Sequence, residues 1–301
     1  MSAEEKLDSF QVGLFKDQLL RIEDELLQVE YEQLYWANGS LIPIEVLNDE
    51  ISEEVAVRQT TAIGSWELWR DYTTTVPNVD LVSREFRQPV EEYVGGYSIS
   101  DREILAFMVQ GRSLDTEKMQ AVVDTGNQKL DDLIFYGSSK LKGFLLHPDT
   151  LKSTSPFRFN STSTANQIIS VLAESENLIV RITKNVEVPD TLLISKRAFD
   201  YINYARIDSV NDTSILEYYL SKSAYIRDVM PLIPLDGKGE DGTDCMCFYR
   251  RDPSRIRARV MSEIAFKKFI EQPWGFQRTA NMRYGGLRIA RPFSILWVSG
   301  L

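Results

Sequence analysis

The stretch from residue 41 to residue 88 limits the folds open to this chain more than any other part of the sequence. It is rich in threonine, valine and aromatic residues, which favour extended backbone, and Ile63-Gly64-Ser65 provides a bend. It contains little continuous apolar sequence, so it predicts a long two-stranded excursion and not a core element. Because an isolated hairpin is barely stable in water, something else must cover it.

Helical patterns flank this stretch on both sides. Residues 4–36 carry one apolar stripe with a strongly acidic back, which predicts a single amphipathic helix. Residues 98–137 predict two further helices, the first begun by a capping box of Ser100 and Glu103 and the second closed by Gly137.

Beyond residue 148, short helices and strands alternate. Helices are predicted at 165–175, 197–206 and 213–221, and strands at 178–183, 191–195, 245–249, 255–260, 287–290 and 293–298. Gly285-Gly286 is expected to form a turn between two of the last strands. The order of elements predicts an α+β fold, and the sequence shows no repeat period.

Charge is distributed unevenly along the chain. Residues 1–60 carry a net charge of −10, residues 61–244 carry −8 and residues 245–301 carry +8, within a total of −10. An acidic start and a basic end predict complementary surfaces that meet within a subunit or between subunits. The alternative interpretation is a solvated acidic helix and a few arginines beside the core.

Composition excludes several classes of protein. A hydrophobic fraction of 43% and a charged fraction of 26% are typical of globular proteins and exclude a disordered or fibrous chain. No apolar run approaches the roughly 18–20 residues that cross a bilayer, and the acidic, polar start does not resemble a secretory signal. We therefore expect a chain suited to a reducing cytosol, without a membrane partner.

Residues that commonly build catalytic or metal sites are few and scattered. His147 is the single histidine and precedes Pro148, which favours a structural role. Cys245 and Cys247 fall on one face of a predicted strand and supply only two of the ligands that a zinc site requires, so they are interpreted as small core residues. The glycine-rich stretches lack the pattern of a phosphate-binding loop. The sequence thus predicts no catalytic, cofactor-binding or metal-binding residues and no enzyme activity.

Three segments carry a resemblance to a known family. The first consists of residues 97–104, the Gly-x-x-Leu-Asp pattern at 111–115 and the run FYGSSKLKGFLLHP at 135–148. The second is YRRDP with the strand that follows it, at 249–260. The third is RYGGLRIARP at 283–292. In order and spacing, over about residues 80–148 and 245–301, the chain resembles the major capsid proteins of tailed bacteriophages with the Hong Kong 97-type fold, in the encapsulin-like branch. Two features depart from the family: His147 stands where asparagine is usual, and the N-terminal helix is longer and more acidic than an encapsulin's.

The resemblance implies a division of the chain into four parts. These are an N-terminal arm (1–40), an extended β-hairpin loop that lies across a neighbouring subunit (41–88), a peripheral domain with a long spine helix at 116–135 (89–148 and 273–301), and an axial domain (149–272). It also implies a structural protein of the virion, assembled in the host cytoplasm, whose pentamers and hexamers form an icosahedral shell around a phage genome.

Partners and alternatives follow from the same resemblance. The implied partners are further copies of the chain, scaffold, portal or decoration proteins, and packaged double-stranded DNA that is contacted without sequence preference. One alternative is an encapsulin-type bacterial nanocompartment, in which the same fold encloses an enzyme. A different class is a soluble α+β enzyme or binding domain, against which the lack of a convergent polar site counts.

The extended loop also bears on covalent reinforcement. Some shells of this fold join neighbouring subunits through an isopeptide bond made by a lysine of that loop. Here no lysine lies between Lys16 and Lys118, so the loop carries only arginines, which do not lose their protons at neutral pH. The resemblance therefore implies a shell held by non-covalent contacts or by a separate decoration protein.

Overall fold

A computed structural model describes residues 34–66, 78–110, 114–207 and 212–301. The predicted helix at 4–36 lies outside the described residues except for its last three positions, and residues 34–36 are not helical. No helix within the described ranges is long and apolar enough to span a membrane.

Strands and helices are numbered here in chain order. The strands are β1 (Ile44–Val46), β2 (Glu54–Ile63), β3 (Asp80–Pro89), β4 (Glu91–Ser100), β5 (Leu151–Thr154), β6 (Thr191–Ser195), β7 (Asp228–Leu232), β8 (Cys245–Tyr249), β9 (Ile256–Phe266), β10 (Ile270–Gln272), β11 (Gly275–Ile289) and β12 (Leu296–Ser299). The helices are α1 (Asp101–Gln110), α2 (Leu114–Phe135), α3 (Ala165–Ile182), α4 (Lys196–Tyr204) and α5 (Ile215–Lys222). Short 3-10 turns lie at Ile233–Leu235, Glu240–Gly242 and Pro292–Ser294.

The first sheet is built around the long strand β11. It pairs with β9 on one edge and with β4 on the other, β10 forms a short hairpin with it, and β1 joins β9 in parallel. The turn predicted at Gly285-Gly286 is wrong, because both glycines lie inside β11 where its register with β9 shifts. Gly286 has a φ of +83°, which the glycine allows without strain, so a bulge forms and the strand continues.

The second sheet has the strand order β5-β12-β8-β6-β7 and is covered on both faces. Strands β6, β8 and β12 are buried at every position, as near-continuous apolar runs predict. One face shares a core with the first sheet, and the other packs against α3, α4 and α5. Cys245 and Cys247 are free thiols on the face toward the first sheet, and burial raises the pKa of Cys245 to about 12.

The capping box predicted before α1 is present. The Ser100 amide donates to Glu103 Oε2 at 2.8 Å, and the Glu103 amide donates to Ser100 Oγ at 3.3 Å. Lys118 on α2 adds an ion pair to Glu103 at 2.9 Å. Together these contacts lower the pKa of Glu103 to about 2, so α1 and α2 are joined by a charged contact at neutral pH.

Two other predictions of local structure need correction. The strand predicted at 178–183 is wrong, because α3 continues to Ile182 and Ile179 is buried on the same helical face as Ile168 and Leu172. The excursion predicted to begin at residue 41 begins later, because Leu41 and Ile42 are buried in the core and only β2 and β3 form the hairpin. A short apolar run does not distinguish a buried helix from a strand, and burial of two adjacent residues leaves no periodic signal.

The boundary expected at residue 273, between the axial and the peripheral domain, does not separate the strands of the two sheets. Strand β9 lies in the first sheet beside β11, although it falls within the segment 149–272. Strand β12 lies in the second sheet between β5 and β8, although it falls within 273–301. The chain therefore passes between the two sheets more often than a single boundary allows.

Candidate assembly interface

The hairpin of β2 and β3 is attached to the rest of the chain at its base. Its ten residue pairs run in unbroken register from Glu54–Pro89 to Ile63–Asp80. At the base, Gln88 Nε2 donates to the Leu287 carbonyl at 3.3 Å. Because β2 and β3 pair only with each other within the described part of the chain, both outer edges of the hairpin are unpaired.

Arg283 fixes the segment that leads into the hairpin. This buried side chain donates from Nη1 to the Asp49 carbonyl at 3.0 Å and from Nη2 to the Ser52 carbonyl at 2.6 Å. Arg283 is the first residue of the third family-like segment, yet nothing in the sequence indicated that its partners are backbone carbonyls 231 and 234 residues away. Its guanidinium therefore orients the hairpin relative to the first sheet.

The two faces of the hairpin differ in chemistry. One face carries Val57 opposite Phe86, with Val82 and Ile63 nearer the tip and with Arg84 and Asp80 between and beyond them. Phe86 is 53% exposed and Ile63 is 57% exposed, so much of this mainly apolar face is uncovered in the single chain, although Val57 and Phe86 also line a groove beside the first sheet. An exposed apolar strip of this kind marks a surface for binding another protein.

The opposite face is polar and locally paired toward the base, and it carries the exposed Leu81 near the tip. Arg58 lies 3.9 Å from Glu85, and Arg87 lies 3.6 Å from Glu54. Exposed ion pairs of this type contribute little to stability, but they keep this face hydrated. The contrast between the faces supports the prediction that something outside the hairpin covers its apolar side.

An aromatic cluster joins the first two family-like segments to Trp36 and Trp297, which lie outside those segments. Trp36 stacks on Phe135 with ring centroids 4.9 Å apart, and Phe144 lies 5.5 Å from Trp36 and 5.2 Å from Trp297. Tyr249 packs edge-on against Phe144 and donates its hydroxyl to the Leu41 carbonyl at 2.7 Å. The cluster explains why aromatic residues recur at these distant positions, since all of them meet at the junction of the two sheets.

Two glycines of the first segment allow the chain to fold back onto the end of α2. A Cβ atom at Gly137 would lie 2.4 Å from the Gly143 nitrogen, and one at Gly143 would lie 2.4 Å from the Gly137 nitrogen. The Phe144 and Leu145 amides then donate to the carbonyls of Ile134 and Phe135, each at 2.9 Å. Glycine at both positions is therefore what places Phe144 in the aromatic cluster.

A buried carboxylate ties the later segments together. Glu187 is 2% exposed, and its two oxygens lie 2.8 Å from Arg291 Nη1 and 3.0 Å from Arg255 Nε. The two guanidinium groups offset the free-energy cost of burying the Glu187 carboxylate. Removal of either arginine would leave this buried negative charge only partly neutralised. Arg291 belongs to the third segment, which gives a second residue of that segment a structural role.

A basic groove of about 790 Å³ separates the base of the hairpin from the first sheet. Its basic lining consists of Arg58, Arg87, Lys140, Lys142, Arg259, Arg288 and Arg291. The acidic lining residue is Asp149, whose Oδ2 lies 3.8 Å from His147 Nδ1. Three of these basic residues, Arg259, Arg288 and Arg291, come from the positively charged last part of the sequence, so part of that charge lies on the surface of this groove.

His147 lies at the edge of this groove. Its Nδ1 accepts a hydrogen bond from the Asp149 amide at 3.3 Å, and burial lowers its pKa. The Thr150 hydroxyl donates to the His147 carbonyl at 2.6 Å, so the residue closes a turn. Among the described residues, no group of three or more His, Cys, Asp or Glu side chains could hold a metal ion.

Comparison with known sequences decides the family. The family model of major capsid proteins matches residues 64–301. The chain belongs to the major capsid protein family. This capsid protein is therefore a structural subunit of the virion shell and not an enzyme, and shells of this family are assembled from copies of such a subunit. Among curated proteins, none matches the sequence.

Solved structures of low sequence identity share the fold of this capsid protein. The capsid of Myoviridae phage XM1 matches with a TM-score of 0.78 at 16% identity, covering 95% of this chain and 98% of that chain. Microbacterium phage Oxtober96 matches with a TM-score of 0.63 at 11% identity, covering 94% and 97%. A virus-like particle from Pyrococcus furiosus matches with a TM-score of 0.52 at 11% identity, covering 86% and 90%. These likenesses confirm the predicted α+β fold of the Hong Kong 97 type.

Proposed function

We propose that this capsid protein forms pentamers and hexamers that close an icosahedral shell around double-stranded DNA. The observation that carries the proposal is the hairpin, which presents a largely uncovered apolar face and, within the described part of the chain, is attached at its base. In the proposed shell this face lies across a neighbouring subunit, so that each contact is modest while the closed particle is stable.

The proposal assigns the parts of the fold as follows. Residues 1–40 form an N-terminal arm whose last part is anchored in the core by Trp36, and residues 54–89 act as the extended loop. The peripheral domain is the first sheet with α2 as its spine helix, and it includes β9. The axial domain, expected to cluster around the symmetry axes, is the second sheet with α3, α4 and α5, and it includes β12.

Packaged DNA and other virion proteins are further proposed partners. A net charge of −10 favours only weak contact with DNA phosphates, made by local basic surfaces and without sequence preference. Scaffold, portal or decoration proteins would complete the particle. We propose that the shell assembles in the cytoplasm of the host.

Electron microscopy of the purified protein tests the proposed assembly. We expect closed shells that dissociate when the subunit concentration is lowered, and expression in a host undergoing phage infection should yield particles whose DNA resists nuclease. Shells that enclose a cellular enzyme instead of DNA would favour the encapsulin-type alternative. A monomer at every concentration and ionic strength would contradict both.

The absence of lysine from the hairpin leads to a separate prediction. Particles boiled in SDS should migrate as one band at the monomer mass of 34.5 kDa, because the segment 41–88 offers no amine for an isopeptide bond. The measurement is a denaturing gel run with reductant, and the control is monomer that has never been assembled. A ladder of covalent oligomers would show that another nucleophile joins the subunits.

A further inference from the structure

Arg259 is a buried guanidinium whose two terminal nitrogens make no hydrogen bond to the described part of the chain. The residue lies on β9 and is 3% exposed. A guanidinium carries five donors and stays charged, so burial without an acceptor is unfavourable. Such a side chain in a native subunit indicates an acceptor that the single chain does not supply.

The described residues around Arg259 add further positive charge and offer it no free carboxylate. Glu45, its neighbour on β1, is committed to Arg257, with Arg257 Nη1 2.9 Å from Glu45 Oε1. Burial and the positive charges of Arg288 and Arg257 lower the pKa of Arg259, and the opposing influence of Glu45 and Tyr284 is smaller. Arg288, opposite Arg257 on β11, has an Nε that is also buried without an acceptor. This face of the first sheet therefore holds three guanidinium groups and one carboxylate.

The side chain of Arg259 faces the basic groove at the base of the hairpin. The groove is open to solvent, so an anion can enter it. Because the Nη atoms of Arg259 are themselves buried, this side chain must shift toward the groove to meet the anion. Asp149, the acidic lining residue, is placed beside His147 and not beside Arg259. The groove thus offers a positively charged site that is closed on the protein side and accessible from outside.

We propose that the groove at Arg259 and Arg288 receives an Asp or Glu side chain from a second copy of this chain in the assembled shell. This inference rests on the proposed function, because it needs a neighbouring subunit. A carboxylate matches the fork of a guanidinium and can accept two hydrogen bonds from it. A single side chain can also reach toward a residue as buried as Arg259, whereas a rigid DNA duplex is too bulky to enter the groove as a whole. Outside residues 245–301 the chain carries a net charge of −18, so a second copy offers many carboxylates.

Arg259→Met tests the site, because methionine keeps the apolar stem of the side chain and removes the charge. The isolated subunit should be at least as stable as wild type to heat, since an uncompensated buried charge has gone. Its assembly yield should fall at least tenfold, and the remaining assembly should depend less on salt. Arg158→Met is the matched control, because it removes one charge from an exposed position and should change neither quantity.

The outcomes separate this inference from the proposed function. If wild-type protein forms no shells, the proposed function fails first. If wild type assembles and Arg259→Met assembles with the same yield and salt dependence, the inference is overturned. Assembly with and without DNA identifies the anion, because a defect confined to DNA-containing samples would assign the groove to phosphate and overturn the carboxylate.

A density map of the wild-type shell provides a test that does not depend on the variant folding. The expected result is an Asp or Glu oxygen of a neighbouring subunit within hydrogen-bond distance of an Arg259 Nη atom. An acceptor from the same chain, or water alone at that position, would overturn the inference.

Discussion

Phe86→Asp should abolish shell formation while the free subunit stays folded. Phe86 is 53% exposed and lies opposite Val57 on the apolar face of the hairpin, so the change removes no core contact. In the proposed shell a neighbouring subunit covers that face, and burying a carboxylate against it without a cationic partner costs about 3 kcal/mol or more, even after partial compensation. A cost of that size raises the subunit concentration needed for assembly by about 100-fold. Sedimentation and electron microscopy measure the assembly, and circular dichroism reports the fold of the free subunit.

Ser83→Asp is the matched control for this prediction. Ser83 is on the same strand but on the opposite face, where it lies 3.1 Å from the Thr60 hydroxyl and beside exposed ion pairs. A new carboxylate on a hydrated face should change the assembly concentration far less than Phe86→Asp does. Equal defects in the two variants would mean that net charge on the hairpin, and not its apolar face, governs assembly.

Trp36→Ala should cause the largest loss of stability among single substitutions in the aromatic cluster. Trp36 is fully buried, stacks on Phe135 and touches Phe144, and its amide donates to Asp131 Oδ1 at 2.6 Å. Truncation of a buried tryptophan leaves a large cavity, and the expected decrease in the free energy of unfolding is about 3–5 kcal/mol. Chemical denaturation of the unassembled subunit measures it.

Trp66→Ala provides the comparison, because Trp66 is 95% exposed beside the hairpin tip. Its free energy of unfolding should stay within about 0.5 kcal/mol of wild type. A loss of similar size in both variants would contradict the assignment of Trp36 to the core. The two variants also separate the fluorescence of a buried indole from that of a solvated one.

Local signals in the sequence predicted much of the fold. The capping box at Ser100 and Glu103, the apolar runs of β6 and β8 and the polar excursion of the hairpin each depend on neighbouring residues alone. Such features can be read from residue type and spacing because they depend on backbone preferences and on alternation over a few positions. The family-like segments then supplied the long-range order.

Errors arose where tertiary contacts decide local structure. The segment predicted as a strand at 178–183 continues α3 because the helix packs on the second sheet and because Glu176, one turn earlier, accepts a 2.6 Å hydrogen bond from the Tyr219 hydroxyl. Gly285-Gly286 became a bulge because β9 and β4 hold β11 on both sides. Neither outcome is determined by the residues of the segment itself.

The candidate interface was predictable in outline but not in detail. Low apolar content indicated that the hairpin needs a cover, yet its apolar face appears only once the register sets Val57 opposite Phe86. Arg259 is indistinguishable in sequence from Arg257, two positions earlier. It becomes distinctive only because the carboxylate of Glu45 bonds the other arginine, which is a matter of side-chain geometry.

The position of β12 has a consequence for synthesis of the protein on the ribosome. Residues 296–299 lie between β5 and β8 in the middle of the second sheet, and Trp297 belongs to the core shared by both sheets. Until these residues have emerged from the exit tunnel, β5 has no partner and β8 lacks one neighbour, so neither core can close. We therefore expect that a chain lacking these residues cannot complete either core, and that emergence of residue 299 from the tunnel sets the earliest moment at which the subunit fold can close.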